Sequence, residues 1–152
     1  MTAMPIKKWK GALAAAAIFA AISQAVNTLG AMLSMGFYMD PAYFAVWSRI
    51  MMPAAGPPPA GFFYLGGAFG FMTALIYVGA FRMLRPSIPG KTSLKKGLSF
   101  GFWLVFLMGS VPGFLSMYLL VNLPAALIAV WAAEALAAAL LGGAVIARLN
   151  AG

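Results

Sequence analysis

The sequence predicts an all-α integral membrane protein: a four-helix transmembrane bundle with a short amphipathic interfacial helix in its first outer loop. Two observations support this fold class. First, 64% of the 152 residues are apolar and 8% are charged, whereas soluble domains are about half apolar and a quarter charged. A soluble chain of this size has too much surface to bury so much hydrocarbon. Second, the Lys and Arg residues are confined to short segments between long apolar runs.

Four membrane crossings are predicted at residues 11–33, 61–82, 97–120 and 124–147, within a single transmembrane domain that covers residues 1–152. A helix needs about 20 residues to cross the hydrocarbon, so the uncharged runs hold four crossings rather than three. The last run is divided at Asn122-Leu123-Pro124, because this tripeptide favours a turn and proline favours a helix start.

The basic residues predict the orientation of the chain. With four crossings, nine of the ten Lys and Arg residues lie on one side of the membrane, and Arg49 alone lies on the other. The positive-inside rule makes the nine-residue side cytoplasmic, so we expect an inner-membrane protein with both termini in the cytoplasm. A cleaved signal peptide is the alternative for the first apolar run, but that run continues to Met39, beyond a typical signal sequence.

The first outer loop, residues 34–60, contains the predicted amphipathic helix. Asp40 is a favourable N-cap, and the proline after it suits the first helical position. Tyr43 and Trp47 recur at helical spacing, followed by Arg49, and aromatic rings in this pattern are typical of the headgroup region. The loop therefore predicts a helix along the outer interface, followed by an extended proline-rich stretch.

The inner loop, residues 83–96, is short, basic and rich in turn-forming residues. We expect it to orient the chain and to contact anionic lipid headgroups. The net charge of +8 would suggest nucleic acid as a partner in a soluble protein, but in a membrane protein it indicates contact with lipid. No nucleic-acid partner is therefore expected.

Small residues predict where the helices approach one another closely. Three pairs of glycines are spaced four residues apart, which places each pair on one helix face: Gly66 and Gly70, Gly97 and Gly101, and Gly109 and Gly113. We interpret these pairs as packing sites within one chain, although the same spacing would serve contact between chains. Pro112 predicts a bend within the third crossing.

Glu134 is the one ionisable residue predicted deep in the hydrocarbon, about 15 Å from the start of the fourth crossing. A charged carboxylate at that depth is costly unless it is paired or faces water, so we expect a neutral acid or contact with water. No Lys or Arg falls at the same depth, which predicts a polar cluster instead. Its predicted members are Ser23, Gln24, Asn27, Thr73 and Ser110. Such a cluster would either join helices or form a ligand or proton site.

The composition removes most catalytic chemistry. The absence of Cys and His excludes disulfide, thiol and Fe–S chemistry and removes the commonest metal ligand. We therefore expect no metal, no cofactor and no catalytic residue. The eleven methionines are interpreted as adaptable apolar residues rather than as a copper site.

Three functions are compatible with this sequence. The leading hypothesis is a non-enzymatic interaction or accessory subunit of a membrane assembly, bound to another membrane protein or to further copies of itself. The first alternative is a small transporter or proton-coupled carrier that uses Glu134. The second alternative is a lipid- or quinone-binding protein with a pocket between helices beneath the aromatic outer loop.

Overall fold

A computed structural model of the chain describes residues 6–46 and 59–150, and the described part is helical and contains no strand. The first part contains two helices and one turn of 3-10 helix: α1 (Ile6–Leu33), α2 (Met35–Met39) and the turn at Pro41–Tyr43. The second part contains α3 (Ala60–Leu84), α4 (Ser93–Phe100), a π-helix (Gly101–Ser110), α5 (Val111–Val121) and α6 (Ala125–Leu149). We refer to the continuous run from α4 through α5 as the third long helix.

Four helices in the described part are long and apolar enough to cross a membrane: Trp9–Leu33, Ala60–Leu84, Ser93–Val121 and Ala125–Leu149. Each of them covers one of the segments predicted to cross. The third begins four residues earlier than predicted, because the Thr92 hydroxyl accepts a hydrogen bond of 3.2 Å from the Lys95 backbone N–H and caps the helix. The end of the predicted inner loop is therefore helical.

The predicted turn between the third and fourth long helices is present. Asn122 ends α5 in the left-handed conformation, with φ 55° and ψ 44°, which asparagine tolerates better than most residues. Leu123 is buried, and Pro124 is the N-cap of α6 in an extended conformation. The chain thus reverses direction within three residues.

The third long helix contains a π-helix that the sequence analysis did not predict. At its end, the backbone N–H of Val111 donates to the carbonyl of Phe106, five residues earlier, and Pro112 follows directly. A proline ring in an α-helix meets the carbonyl four residues earlier. The wider π-helical turn leaves room for that ring. Where the sequence predicts a bend at Pro112, the structure therefore shows a change from π-helix to α-helix.

The long helices contact one another in the order α3, α1, α6 and the third long helix. Three contacts show that α1 and α6 are antiparallel: Gly11 with Leu149, Phe19 with Gly142, and Gly30 with Glu134. The buried positions Ala12, Ala15 and Ala16 keep α1 thin where its neighbours approach.

The main core lies towards the end that carries Gly11 and the loop after α3, which we call the basic end. It buries alanines of α1 and α6, with Phe19 and Ile146 among them, together with residues of the other two long helices that include the rings of Phe81 and Phe100. Phe81 of α3 and Phe100 of α4 meet edge to face, with ring centroids 5.3 Å apart. Large rings therefore fill the space between α3 and the third long helix.

Side-chain hydrogen bonds join the helix termini at the basic end. Arg82 Nε donates to Asn150 Oδ1 over 2.8 Å, and the Asn150 amide donates to the carbonyl of Ile146. Lys96 Nζ donates to the carbonyl of Arg85, just beyond the end of α3. Lys96, which belongs to the inner loop predicted to contact lipid headgroups, thus also holds this end of the fold together, as does Arg82 at the end of the second predicted crossing.

The opposite end has a smaller core of Leu123 and Leu127, covered by aromatic residues of the segment after α1. Trp131 Nε1 donates to Tyr38 Oη over 2.8 Å, which links α6 to α2. Asp40 caps the next turn as predicted, because its carboxylate accepts a hydrogen bond of 2.9 Å from the Ala42 N–H. This turn begins as 3-10 helix and helical residues continue to residue 46. The rest of the predicted interfacial helix, with Trp47 and Arg49, lies outside the described residues.

Candidate functional site

Glu134 lies on α6, in the groove between α6 and α1. Its carboxyl group covers the Cα of Gly30, because a methyl group built on Gly30 would overlap the carboxyl atoms of Glu134. A larger residue at position 30 would require the Glu134 side chain to move. The Oε1 atom is buried and has no hydrogen-bond partner in the described part, although the side chain as a whole is half-buried. The carboxyl group therefore packs between two helices with one oxygen unsatisfied.

Glu134 faces away from the third long helix. The α6 residues that meet that helix include Ala139 and Gly143. At about 100° per residue, these two residues are turned by about 140° and 180° from Glu134. Leu141, two turns along on the face of Glu134, is 53% exposed. Glu134 therefore lies at the outer edge of the α1–α6 groove rather than in the core.

Of the predicted cluster residues, those on α1 lie near Glu134 in their position along the helix axes. Asn27 is exposed and three residues before Gly30, which places it about 4.5 Å along α1 from the glutamate contact. Gln24 is exposed, and its amide donates to the Thr28 hydroxyl over 3.4 Å. Ser23 is half-buried, about one turn closer to the basic end than Asn27.

The other two predicted members have different surroundings. Thr73 is exposed on α3, which packs mainly against α1. Ser110 belongs to the third long helix, on the side of α6 opposite Glu134, and its hydroxyl donates to the carbonyl of Val105 in its own helix. Prediction by depth alone ignored the rotation of each residue about its helix axis, which separates these two residues from Glu134.

The glycine pairs differ in their surroundings. A Cβ on Gly97 would lie 2.5 Å from the carbonyl oxygen of Gly143, and a Cβ on Gly101 would overlap the carbonyl of Ala139. These two glycines allow the third long helix to approach α6 at backbone distance. A Cβ on Gly109 would lie 3.3 Å from Tyr77 Oη.

Gly66 and Gly70 belong to a row on α3 that is buried at one end and open at the other. The row consists of residues spaced four apart: Gly66, Gly70, Ala74 and Val78. Ala74 and Val78 are buried in the main core. A Cβ on Gly66 or Gly70 would meet nothing within 4 Å in the part of the chain that the structure describes. The same is true of Gly113, on α5.

Sequence reasoning missed three residues that shape this region. Gly30 receives the Glu134 carboxyl group, Asn150 binds Arg82, and Trp131 binds Tyr38. A usable signal existed for Gly30 alone, since a glycine in the last turn of an alanine-rich helix indicates a close approach. No group of three or more His, Cys, Asp or Glu residues in the described ranges could hold a metal ion.

No family model, no curated protein and no solved structure matches this chain.

Proposed function

We propose that this chain is a four-span protein of the inner membrane, with both termini in the cytoplasm, and that it serves as a non-enzymatic subunit of a membrane assembly. Insertion in the membrane is supported by the large apolar side chains that the long helices expose, such as Leu29, Phe69 and Ile76. Lipid solvates such side chains, and a helix satisfies its own backbone hydrogen bonds there.

The orientation is supported by the gathering of charges at the basic end. The first residues of α1, the loop after α3 and the last residues of α6 meet there, as the Arg82–Asn150 hydrogen bond and the Gly11–Leu149 contact indicate. Lys91 and Lys95 are exposed at this end, and we assign them contact with anionic headgroups on the cytoplasmic side.

The half-covered row on α3 carries the proposal of an interaction role. Ala74 and Val78 show that this row packs against another helix where one is available, and both residues are almost completely buried. Gly66 and Gly70 continue the same row, and among the described residues nothing lies within 4 Å of a Cβ built on either glycine. Small residues in such a row allow a second helix to approach closely, and close packing is a main source of helix association in lipid. We assign this open half-row to a helix of another subunit.

The size of the particles in which the chain is extracted from its native membrane tests this role. Chains extracted directly into polymer nanodiscs should run as an assembly larger than one chain, and Gly66→Leu with Gly70→Leu should reduce that assembly to the single chain. A Cβ at either position meets none of the described residues within 4 Å, so the fold of the chain itself should be preserved. Gly79→Leu is the matched control, because Gly79 is exposed on the same helix and a Cβ there also meets nothing within 4 Å. A single-chain particle for the native sequence, or an unchanged assembly in the double variant, would contradict the proposal.

A proton-coupled carrier is the second candidate, favoured by the buried and unsatisfied Oε1 of Glu134. A carrier of this kind needs its carboxyl group in an internal cavity, whereas Glu134 lies at the outer edge of the α1–α6 groove. Proton uptake by liposomes that contain the purified chain distinguishes the two. Uptake that Glu134→Gln abolishes would favour the carrier, and uptake equal to that of empty liposomes would favour the interaction subunit.

A further inference from the structure

One exposed face of α1 carries small and polar side chains. Its residues are spaced alternately three and four apart, and we call them the α1 seam: Ala14, Ala17, Ala21, Gln24, Thr28 and Ala31. The first five are exposed and the last is half-buried. The rest of the exposed surface of α1 includes large apolar side chains, such as Ile18, Leu29 and Met32.

The α1 seam lies on the side of α1 that is turned away from α6. At about 100° per residue, its members are turned by about 100–200° from Gly30, which faces Glu134. The groove between α1 and α6 therefore has no part in it. The other neighbour of α1, the helix α3, leaves the face open, since five of its six residues are exposed. Alternating steps of three and four residues are the pattern by which two parallel helices pack along their length.

Gln24 places an amide group on this face, deep in the predicted membrane. In the crossing from Trp9 to Leu33, Gln24 is three residues from the midpoint, about 4.5 Å along the helix axis. The amide donates one long hydrogen bond of 3.4 Å to the Thr28 hydroxyl, which leaves one N–H and the carbonyl oxygen of the amide unused in the part that the structure describes. Lipid chains supply no hydrogen bonds, so these two groups are costly unless another protein surface covers them.

We propose that the α1 seam packs against the α1 seam of a second copy of this chain, with a two-fold axis along the membrane normal between them. All copies cross the membrane in the same direction, so the two α1 helices are parallel and equivalent residues lie at equal depth. The Gln24 amide of each copy then donates to the Gln24 carbonyl oxygen of the other, and the alanines allow the two backbones to approach closely. This inference rests on membrane insertion, which is part of the proposed function.

The chemistry of an amide selects this occupant. A Lys or Arg of a different protein would satisfy the carbonyl oxygen of Gln24 alone, and a carboxylate would satisfy the N–H alone. A second copy supplies both a donor and an acceptor, and the two-fold axis places them at the required depth. Parallel pairing also suits the spacing of the α1 seam, because it brings each residue against its counterpart.

Hydrogen bonds between membrane helices are individually weak, so this pair is reversible and depends on the density of chains in the membrane. Chains scattered in a native membrane stay single, as we expect for the double variant Gly66→Leu with Gly70→Leu. An assembly that holds copies side by side raises their effective concentration and favours the pair. The α1 seam and the open half-row on α3 are different surfaces, so the two proposals can fail separately.

Disulfide crosslinking tests the pair and its register. The sequence contains no cysteine, so each introduced cysteine is unique. Purified A17C chains, and separately A21C chains, should form disulfide-linked dimers in liposomes of high protein content. The two-fold axis brings each cysteine against its equivalent, and a disulfide requires Cα atoms about 4.4–6.8 Å apart.

L29C is the matched control for the crosslinking. Leu29 is 62% exposed on the same helix, but it is turned by about 110° from the middle of the α1 seam. We expect little or no dimer from L29C under the same oxidation. As much dimer from L29C as from A21C, or no dimer from either A17C or A21C, would overturn the proposal.

Variants of the α1 seam test its chemistry by energy transfer between donor- and acceptor-labelled chains in the same liposomes. Gln24→Ala removes both interchain hydrogen bonds and should weaken dimerisation about tenfold. The fold of the chain should be preserved, because Gln24 is exposed and alanine favours a helix. Thr73→Ala is the matched control, since Thr73 is an exposed polar residue on α3, outside the α1 seam. Unchanged dimerisation in Gln24→Ala, or an equal loss in Thr73→Ala, would overturn the proposal.

Three outcomes separate this inference from the interaction role. If purified chains show no energy transfer but Gly66→Leu with Gly70→Leu disrupts the native assembly, the pair is wrong and the interaction role stands. If purified chains pair but the native assembly is unchanged in that double variant, the pair stands and the role of the half-row is wrong. If Gln24→Ala disrupts the native assembly while purified chains stay single, a different protein covers the α1 seam and the pair is wrong.

Discussion

Replacing Gly97 with alanine measures how close the backbone contact between the third long helix and α6 is. The added Cβ would lie 2.5 Å from the Gly143 carbonyl oxygen and 2.8 Å from the Ala147 Cβ, whereas ordinary contact begins at 3.4 Å. The two helices must therefore separate by about 0.9 Å, at an overpacking cost of about 1–3 kcal/mol. The gain in helix propensity, about 0.5–1 kcal/mol, offsets part of this cost. We expect a net loss of up to about 2 kcal/mol in the free energy of unfolding.

The assay is reversible unfolding in mixed detergent micelles, followed by circular dichroism. Gly79→Ala is the matched control: it gains the same helix propensity in open space, so it should be neutral or stabilising by up to about 1 kcal/mol. The reasoning predicts opposite signs for the two variants. Shifts of the same sign and size would refute the close contact at Gly97.

Three further substitutions test single interactions. Trp131→Phe removes the hydrogen-bond donor to Tyr38 and should lower the free energy of unfolding by about 0.5–1.5 kcal/mol. Hydrogen exchange should become faster in residues 35–46 and stay unchanged in α3. An equal increase in exchange in both regions would contradict this. Asn122→Ala should lower the free energy of unfolding by about 1 kcal/mol, because the position is left-handed, whereas Asn122→Gly should not. Equal effects of the two variants would argue against that turn. Asn150→Leu removes one hydrogen-bond acceptor of Arg82 and should lower the free energy of unfolding by about 1.5–3 kcal/mol in the same assay, and an unchanged free energy would count against the bond.

The long helices could be predicted from the sequence because length and hydropathy determine them. A segment of about 20 apolar residues has few other stable conformations, and the local turn chemistry of Asn122 marks the boundary between the third and fourth long helices. The N-cap at Thr92 was as local a signal as that at Asp40, yet the prediction treated this stretch as loop because its lysines suggested a solvated segment. Hydropathy alone did not reveal that a helix begins here, whereas the capping residue Thr92 indicates it.

The arrangement around Glu134 could not be predicted, because rotation about a helix axis is set by packing with other helices. Depth placed Ser110 near Glu134, but the two residues lie on opposite sides of α6. The π-helix was equally hidden, since Pro112 shows where a helix is perturbed and not how the backbone adjusts. The four-residue glycine spacing is present in the sequence at both Gly66 and Gly97. Only the structure shows that Gly97 contacts another helix and that, among the described residues, Gly66 does not.

Labelling of single cysteines by a membrane-impermeant maleimide tests the four-span, basic-end-inside topology most directly, since the chain has no cysteine of its own. In intact spheroplasts the account predicts that D40C reacts at once, and that K91C and a cysteine appended after residue 152 react only after the membrane is opened. Reaction of K91C in intact spheroplasts, or equal reaction of all three variants before lysis, would contradict the topology.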